Sequence, residues 1–279
     1  MREPGAAAPS EPAGREGSAG AVQPRDSATV MLLRPASEAL NPGMEVYLLR
    51  RVPSMPFAPG AYAFPGGGVD PRDAERATGW AGPGPQVWAQ RLGVPVEQAR
   101  ALVCAAVRET FEESGVLLAG ASDTEVVTDT RGADWERDRH ALLERSLSLA
   151  ELLERRGLLL RSDLLCPWSR WITPPGESRR FDTRFFAAAL PYGQHTRDVG
   201  GESDHARWYS PATAVATWEE GSLPMLPPTV ITLHQLAECG SVTEALHPGR
   251  DLTPVEPQLR HIDGQPRIVL PDGTAYPIR

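Results

Sequence analysis

The sequence predicts a mixed α/β fold, and three observations predict it. Short apolar segments rich in β-branched and aromatic residues are bounded by Gly, Pro and Asn clusters, as half-buried strands are. One long stretch, 96 to 115, carries helical periodicity. Strand-like segments lie on both sides of it. With 279 residues and 41% hydrophobic content the chain can bury one sizeable core, so a single domain with decorations is expected over residues 27–246.

The elements follow in order. Residues 1–26 are rich in Ala, Gly, Pro and Glu, without the apolar segment of a signal peptide, and read as a disordered arm. Ala28 to Arg34 and Glu45 to Arg51 are strands around the turn-rich stretch Pro35 to Gly43, a hairpin. Ala61 to Phe64 is short and apolar and runs into Pro65-Gly66-Gly67-Gly68, which is not expected to continue as a regular strand. Pro71 to Pro95 carries scattered Gly, Pro and charge and is expected to hold at most one short helix, about Gln86 to Leu92. The helix from Val96 ends at Gly115, suited to a left-handed cap, and Val116 to Leu118 restarts as a strand.

Asp134 to Arg156 is expected to form two helices, the second opened by the capping box Ser148-Leu149-Ala150-Glu151. The pair, about residues 133–157, reads as an accessory segment. Strands follow at Trp168 to Thr173, Phe181 to Leu190 and Ala206 to Tyr209. Leu226-Pro227-Pro228 leads into a helix to about Glu238. From His247 to Arg279 the chain is Pro-rich, an extension with one small hairpin around Asp272-Gly273.

Composition narrows function before any motif does. The net charge of −8 gives no footprint for nucleic acid. There is no lysine, which excludes Schiff-base chemistry by a lysine side chain. Cys104, Cys166 and Cys239 are an odd number in no metal-ligand spacing, so a reducing, cytoplasmic setting is expected. No apolar run reaches the length of a membrane span.

The chemistry lies on the helix to Gly115. At about 100° per residue, taking Arg108 as zero puts Glu112 near 40°, Glu109 near 100° and Glu113 near 140°. Ala99, Val103, Ala106, Val107, Thr110 and Phe111 fall on the opposite, core-facing arc. Three carboxylates so close repel one another, and they stand at a helix C-terminus, where the macrodipole favours cations. A hard divalent cation such as Mg²⁺ or Mn²⁺ would reverse both penalties. The alternative is a solvated face with an i to i+4 ion pair. The glycine turn upstream favours the metal, since its backbone can approach a metal or phosphate closely.

These residues resemble the Nudix box, Gly-x5-Glu-x7-Arg-Glu-U-x-Glu-Glu-x-Gly-U, with U aliphatic. Arg108-Glu109-Thr110-Phe111-Glu112-Glu113-Ser114-Gly115-Val116 meets its second half, with Thr110 a mild departure at U. Gly67 and Asp73 meet its first half, with Asp in place of Glu. Thirty-four residues separate Asp73 from Arg108 where the box has seven, an insertion of 27. Glu75 and Glu97 are alternatives to Asp73. The family's coenzyme A diphosphatases include members with an interrupted box, and Leu48 to Arg51, Arg180 to Phe186 and Leu226 to Thr229 are similar to that branch.

The resemblance implies a Nudix-type mixed sheet sandwiched between helices, with helical insertions, and hydrolysis of a phosphoanhydride in coenzyme A or an acyl derivative. The metal ligands would be Glu109, Glu112 and Glu113, and the catalytic residues Glu112, Glu113 and Arg108. Gly66, Gly67, Arg50, Arg51, Arg180 and Arg184 are candidates for the diphosphate substrate, with Arg179 beside them. Alternation along Phe181 to Phe186 allows either Asp182, Arg184 and Phe186 or Phe181, Thr183 and Phe185 to face the site. His195 and His205, near Asp198, Glu202 and Asp204, read as a polar loop, with Glu202 or Asp204 a candidate distant carboxylate. ADP-ribose, a nucleotide sugar or a dinucleotide is the alternative substrate, and a non-catalytic ligand sensor the alternative class. The oligomeric expectation is a monomer or homodimer.

Overall fold

The structure, a computed structural model, describes residues 22–36, 43–54, 58–75, 79–197 and 203–277. The arm to residue 21 and loop residues 37–42 lie outside them, as do Asp198 and Glu202. The first strands are β1 Arg25–Pro35, β2 Met44–Arg51, β3 Tyr62–Ala63, β4 Gly66–Gly68 and β5 Trp80–Ala81. Next come α1 Pro85–Leu92, α2 Val96–Ser114, β6 Ala119–Gly120, α3 Ala133–Leu143, α4 Leu149–Arg156 and β7 Leu159–Arg161. Strands β8 Cys166–Ile172, β9 Phe181–Ala189 and β10 Ser203–Tyr209 precede helices α5 Pro211–Glu219, α6 Pro227–Ala237 and α7 Val242–Ala245. The chain then runs through β11 Pro254–Val255, β12 Gln258–Ile262, β13 Gln265–Val269 and β14 Ala275–Pro277.

The main sheet is mixed, in the order β10-β2-β1-β9-β8-β11, with β3 paired to β2 and β4 to β1. Strands β1 and β2 form the expected antiparallel pair, Leu33 opposite Val46, while β1 and β9 run parallel. Alternation along β1 sends Ala28, Val30 and Leu32 to a core shared with α1 and α2. It sends Met31 and Leu33 to a second core closed by α5 and α6. The sheet is therefore sandwiched between helices, and no helix among the described residues is long and apolar enough to cross a membrane.

Several local expectations need correction. The glycine run does form a strand: after a break at Phe64-Pro65, Gly66 to Gly68 pair antiparallel with Thr29 to Ser27. Lack of side chains is what permits it, because a Cβ on Gly66 would stand 2.6 Å from the Ala28 carbonyl oxygen. Val116 to Leu118 is not a strand. Leu117 instead satisfies its backbone on one side chain, donating its N–H to Gln194 Oε1 (2.9 Å) and accepting from Gln194 Nε2 (2.8 Å), and pairing begins only at Ala119.

The stretch 71–95 is more than a loop with one helix. It opens with a 3-10 turn at Pro71–Ala74, pairs β5 parallel to β7 and buries Trp88 completely, edge to face on Phe186 at 5.9 Å between centroids. Helix α2 ends at Gly115 as expected, with φ 74°, and Ser148 and Glu151 make the expected capping box. Helix α6 starts on the expected prolines. The C-terminal stretch is more ordered than a single hairpin. Strands β12 to β14 form their own three-stranded sheet, and β11 adds to β8 in parallel. Helices α5 and α7 had no counterpart in the sequence reading.

Candidate active site

Helix α2 presents its last turns beneath β4. Glu109, Glu112 and Glu113 are all below 10% exposed, more enclosed than a helix face beside a core would be. Three elements cover them. Glycine strand β4 lies above, the 3-10 turn stands to one side, and Arg139 of α3 donates from Nη1 to the Glu112 carbonyl oxygen at 2.9 Å. That bond places a cation at the helix C-terminus, the charge the dipole favours there.

Arg108 is the hub. Its Nε and Nη2 donate to the two oxygens of Asp73 at 2.9 and 2.8 Å, a bidentate pair. Its Nη1 donates to Glu109 Oε1 (2.7 Å) and Glu112 Oε2 (3.2 Å), and Nη2 also reaches the Gly68 carbonyl oxygen at 2.9 Å. The insertion therefore returns Asp73 to the helix, and Asp73 fixes the arginine that orients two glutamates. Glu75 is engaged elsewhere, accepting from the Ser148 hydroxyl at 3.1 Å. Burial by itself would lower the Arg108 pKa, but the Asp73 hydrogen bonds and the charges of Glu109, Asp73 and Glu112 outweigh it and raise it.

The glycines approach as closely as their sequence allows. Gly66 N donates to Glu113 Oε2 at 2.7 Å, and a Cβ on Gly67 would lie 2.6 Å from the Glu109 carboxylate. Desolvation pushes the Glu109 pKa up to about 7; Arg108 opposes the rise and Glu112 adds to it. Among the described residues no three acidic, His or Cys side chains already form a cage, since Glu109 and Glu113 are turned onto protein donors. The donor set still fits a hard divalent cation: clustered, desolvated carboxylate oxygens with one arginine bonded among them.

Two cavities border this part of the sheet. A cleft of about 290 Å³ holds Arg108, the three glutamates, Gly67 and Gly68, with Arg25, Arg72 and Arg145 around it. A larger cavity of about 530 Å³ on the α6 side is lined by Gly66, Tyr62, Phe64, Trp171 and Phe185 among others. Phe181 borders both.

The candidate arginines separate accordingly. Arg51 and Arg179 line the larger cavity; Arg50, Arg180 and Arg184 line neither. Strand alternation decides Arg184, because Phe181, Thr183 and Phe185 take the cavity side. Arg184 is left buried on the other face, 1% exposed and paired with Asp182. Arg180 is likewise displaced. Its guanidinium donates to the carbonyl oxygens of Thr173 and Val22 and to Glu256 Oε1 at 2.6 Å, so it ties chain segments together. Arg50 stands on β2 opposite Tyr62 and His205.

Asp70, Arg72 and Arg145 were not singled out from the sequence. Asp70 caps the 3-10 turn reciprocally with Asp73, and this acidic pair at i, i+3 beside a proline was the readable signal. Arg72 binds Asp70, and Arg145, held at φ 57°, stands exposed at the cleft mouth.

A sheet between helix layers, with an acidic helix end under a glycine strand, is the class of arrangement described by the Nudix hydrolases. A family model described as the NUDT19 Nudix domain matches residues 83–236, and this chain belongs to that family. The chain is 24% identical to the acyl-coenzyme A diphosphatase NUDT19 of Xenopus laevis, the match covering 72% of this chain and 61% of that protein. For the human protein of the same name the figures are 28% identity, 72% and 63%. The chain thus spans less than two thirds of the length of either. A crystal structure of a Nudix hydrolase from Alicyclobacillus acidocaldarius superposes with a TM-score of 0.66 at 32% identity, covering 80% of this chain and 96% of that one. Nudix hydrolases generally use divalent metal ions.

Proposed function

We propose that this chain hydrolyses the diphosphate bond of coenzyme A or an acyl-coenzyme A, with Mg²⁺ or Mn²⁺ held by Glu109, Glu112 and Glu113. The observation that carries the reading is the Gly66-Gly67 backbone lying directly on the Glu109 and Glu113 carboxylates. A diphosphate seated there meets backbone N–H and metal ligands together. The relatives named acyl-coenzyme A diphosphatase support the substrate class.

When bound, the metal supplies neutralisation of charge developing on the anhydride oxygens and an acidified water. The protein's residues do the rest. Asp73 holds Arg108, and Arg108 holds Glu109 and Glu112 in place. Glu109, with Glu112 and Glu113, would hold the metal through its carboxylate oxygens. Glu112 or Glu113 accepts the proton of the water that adds to one phosphorus, and the bond from that phosphorus to the bridging oxygen breaks. The products are 3′,5′-ADP and the (acyl-)phosphopantetheine. An odd number of widely spaced cysteines, Cys104, Cys166 and Cys239, supports a reducing, cytoplasmic setting.

Turnover on a panel of diphosphates with Mg²⁺ or Mn²⁺ tests the reading. Coenzyme A should exceed 3′-dephospho-coenzyme A at least about tenfold in kcat/KM, roughly 1.4 kcal/mol of transition-state binding. Faster cleavage of ADP-ribose, a nucleotide sugar or a dinucleotide would overturn the substrate, and binding without any turnover would make the chain a sensor.

A further inference from the structure

We propose that the larger cavity takes the acyl-pantetheine half of the substrate, and that Ile268 of the C-terminal sheet, which lines it, sets the acyl-chain length accepted. The inference rests on the acyl-coenzyme A reading above and adds to it which half of the molecule goes where.

The two cavities differ in chemistry as the two halves of an acyl-coenzyme A do. On one side of the diphosphate that molecule carries a nucleoside with a further phosphate. On the other it carries a neutral amide chain, a thioester and a hydrocarbon tail. The smaller cleft offers Arg25 and Arg145 beside the glutamates, guanidinium forks suited to a phosphate, while Arg72 is held by Asp70 and the Arg145 carbonyl oxygen. The larger cavity offers aromatic and aliphatic walls, Tyr62, Phe64, Trp171, Ile172, Phe185 and Leu226, with the hydroxyls of Thr29 and Thr183 for amides. Its charged residues are Arg51 from the end of β2, and Glu177 and Arg179 from the β8–β9 turn. Burying a phosphate among such walls is costly, whereas an acyl chain gains from it. At about 530 Å³ the cavity falls within the range of small-molecule sites, roughly 300–1,000 Å³. Phe181 borders both cavities, and Gly66 lines the larger while its neighbour Gly67 lines the smaller, so a diphosphate over the glutamates at this strand would send one half toward each.

Part of the wall comes from the C-terminal segment, beyond the span 83–236 that the family model matches. Pro257 and Ile268 line the cavity. The segment bearing them is docked by β11 on β8 and by the Arg180–Glu256 ion pair at 2.6 Å. Arg180 is therefore a positioning residue for this wall.

The test uses the full chain and its Ile268→Trp and Ile268→Ala variants, with kcat/KM measured on coenzyme A and on acetyl-, hexanoyl-, dodecanoyl- and hexadecanoyl-coenzyme A. Ile268→Trp should lower the ratio of kcat/KM on the long acyl substrates to kcat/KM on free coenzyme A by about tenfold or more. Ile268→Ala should move the optimum toward longer chains, and it serves alone if the tryptophan variant does not fold. An equal change on every substrate, or none, would overturn the inference while coenzyme A turnover kept the underlying reading intact. If wild type cleaves no coenzyme A derivative, binding of dodecanoyl-pantetheine followed by Trp171 fluorescence, with Trp171→Phe as control, decides the cavity separately. Binding that Ile268→Trp abolishes and 3′,5′-ADP does not displace supports the assignment. No binding, or displacement by 3′,5′-ADP, overturns it.

Discussion

Glu112 and the two glycines above α2 show how far single residues control this site. Glu112→Gln removes one desolvated charge from a crowded acidic cluster, so turnover should fall on the order of a hundredfold or more while stability without metal holds or rises. Near-normal activity would sink the metal-site assignment. The glycines separate stability from function. In Gly66→Ala the new methyl meets backbone, the Ala28 oxygen at 2.6 Å and Thr29 Cα at 2.7 Å, so the protein should melt lower. In Gly67→Ala its nearest neighbours are the carboxylate atoms at the end of the Glu109 side chain rather than backbone, so folding should survive better and metal-dependent rate should drop as Glu109 is displaced. Equal loss of stability in both variants would contradict this. Glu109 adds a pH dependence. Its folded pKa of about 7 lies above the ordinary 4.5, so the folded state holds the proton more tightly and metal-free stability should fall as pH rises between those values. The effect is on the order of 3 kcal/mol at most, and denaturant midpoints at pH 5 and pH 8 should show it. Glu109→Gln should flatten the difference.

At the scale of elements, α2 and the segment before it behave as one unit. By length alone, shortening the 27-residue insertion should alter substrate handling more than folding, because loop-closure entropy changes slowly with length. The burial of Trp88 on Phe186 reverses that expectation. Trp88→Ala should cost about 3–5 kcal/mol, measured as a shift in the urea midpoint; a cost below about 1 kcal/mol would return the insertion to decoration. Helix α2 itself was legible to its last residue, because amphipathic periodicity and a terminal glycine are local signals. The short strands β5 and β6 were not, since two-residue pairings are set by a partner elsewhere in the chain. Gln194 was equally hidden: a lone polar residue far from Leu117 gives no local hint that it will stand in for a strand neighbour.

Across the whole molecule, metal, charge and fold are linked. A cation that binds only the folded state stabilises it, by about 2.7 kcal/mol at a hundredfold excess over its Kd. Saturating Mn²⁺ or Mg²⁺ should therefore raise the melting temperature by several degrees, with reversal by chelator and little response in Glu112→Gln. No shift in the wild-type protein would count against a metal among the glutamates. The sequence by itself determined the layered α/β class, the acidic arc of α2, its glycine cap and the glycines destined for close approach, because periodicity, spacing and the absence of a side chain are local properties. Tertiary structure alone decided that Asp73 crosses 34 intervening residues to clamp Arg108. It alone turned Arg184 inward by the register of β9 against β1, and brought Ile268 to the cavity. Those outcomes depend on which distant segments pack together, and nothing in the local sequence records a partner's position.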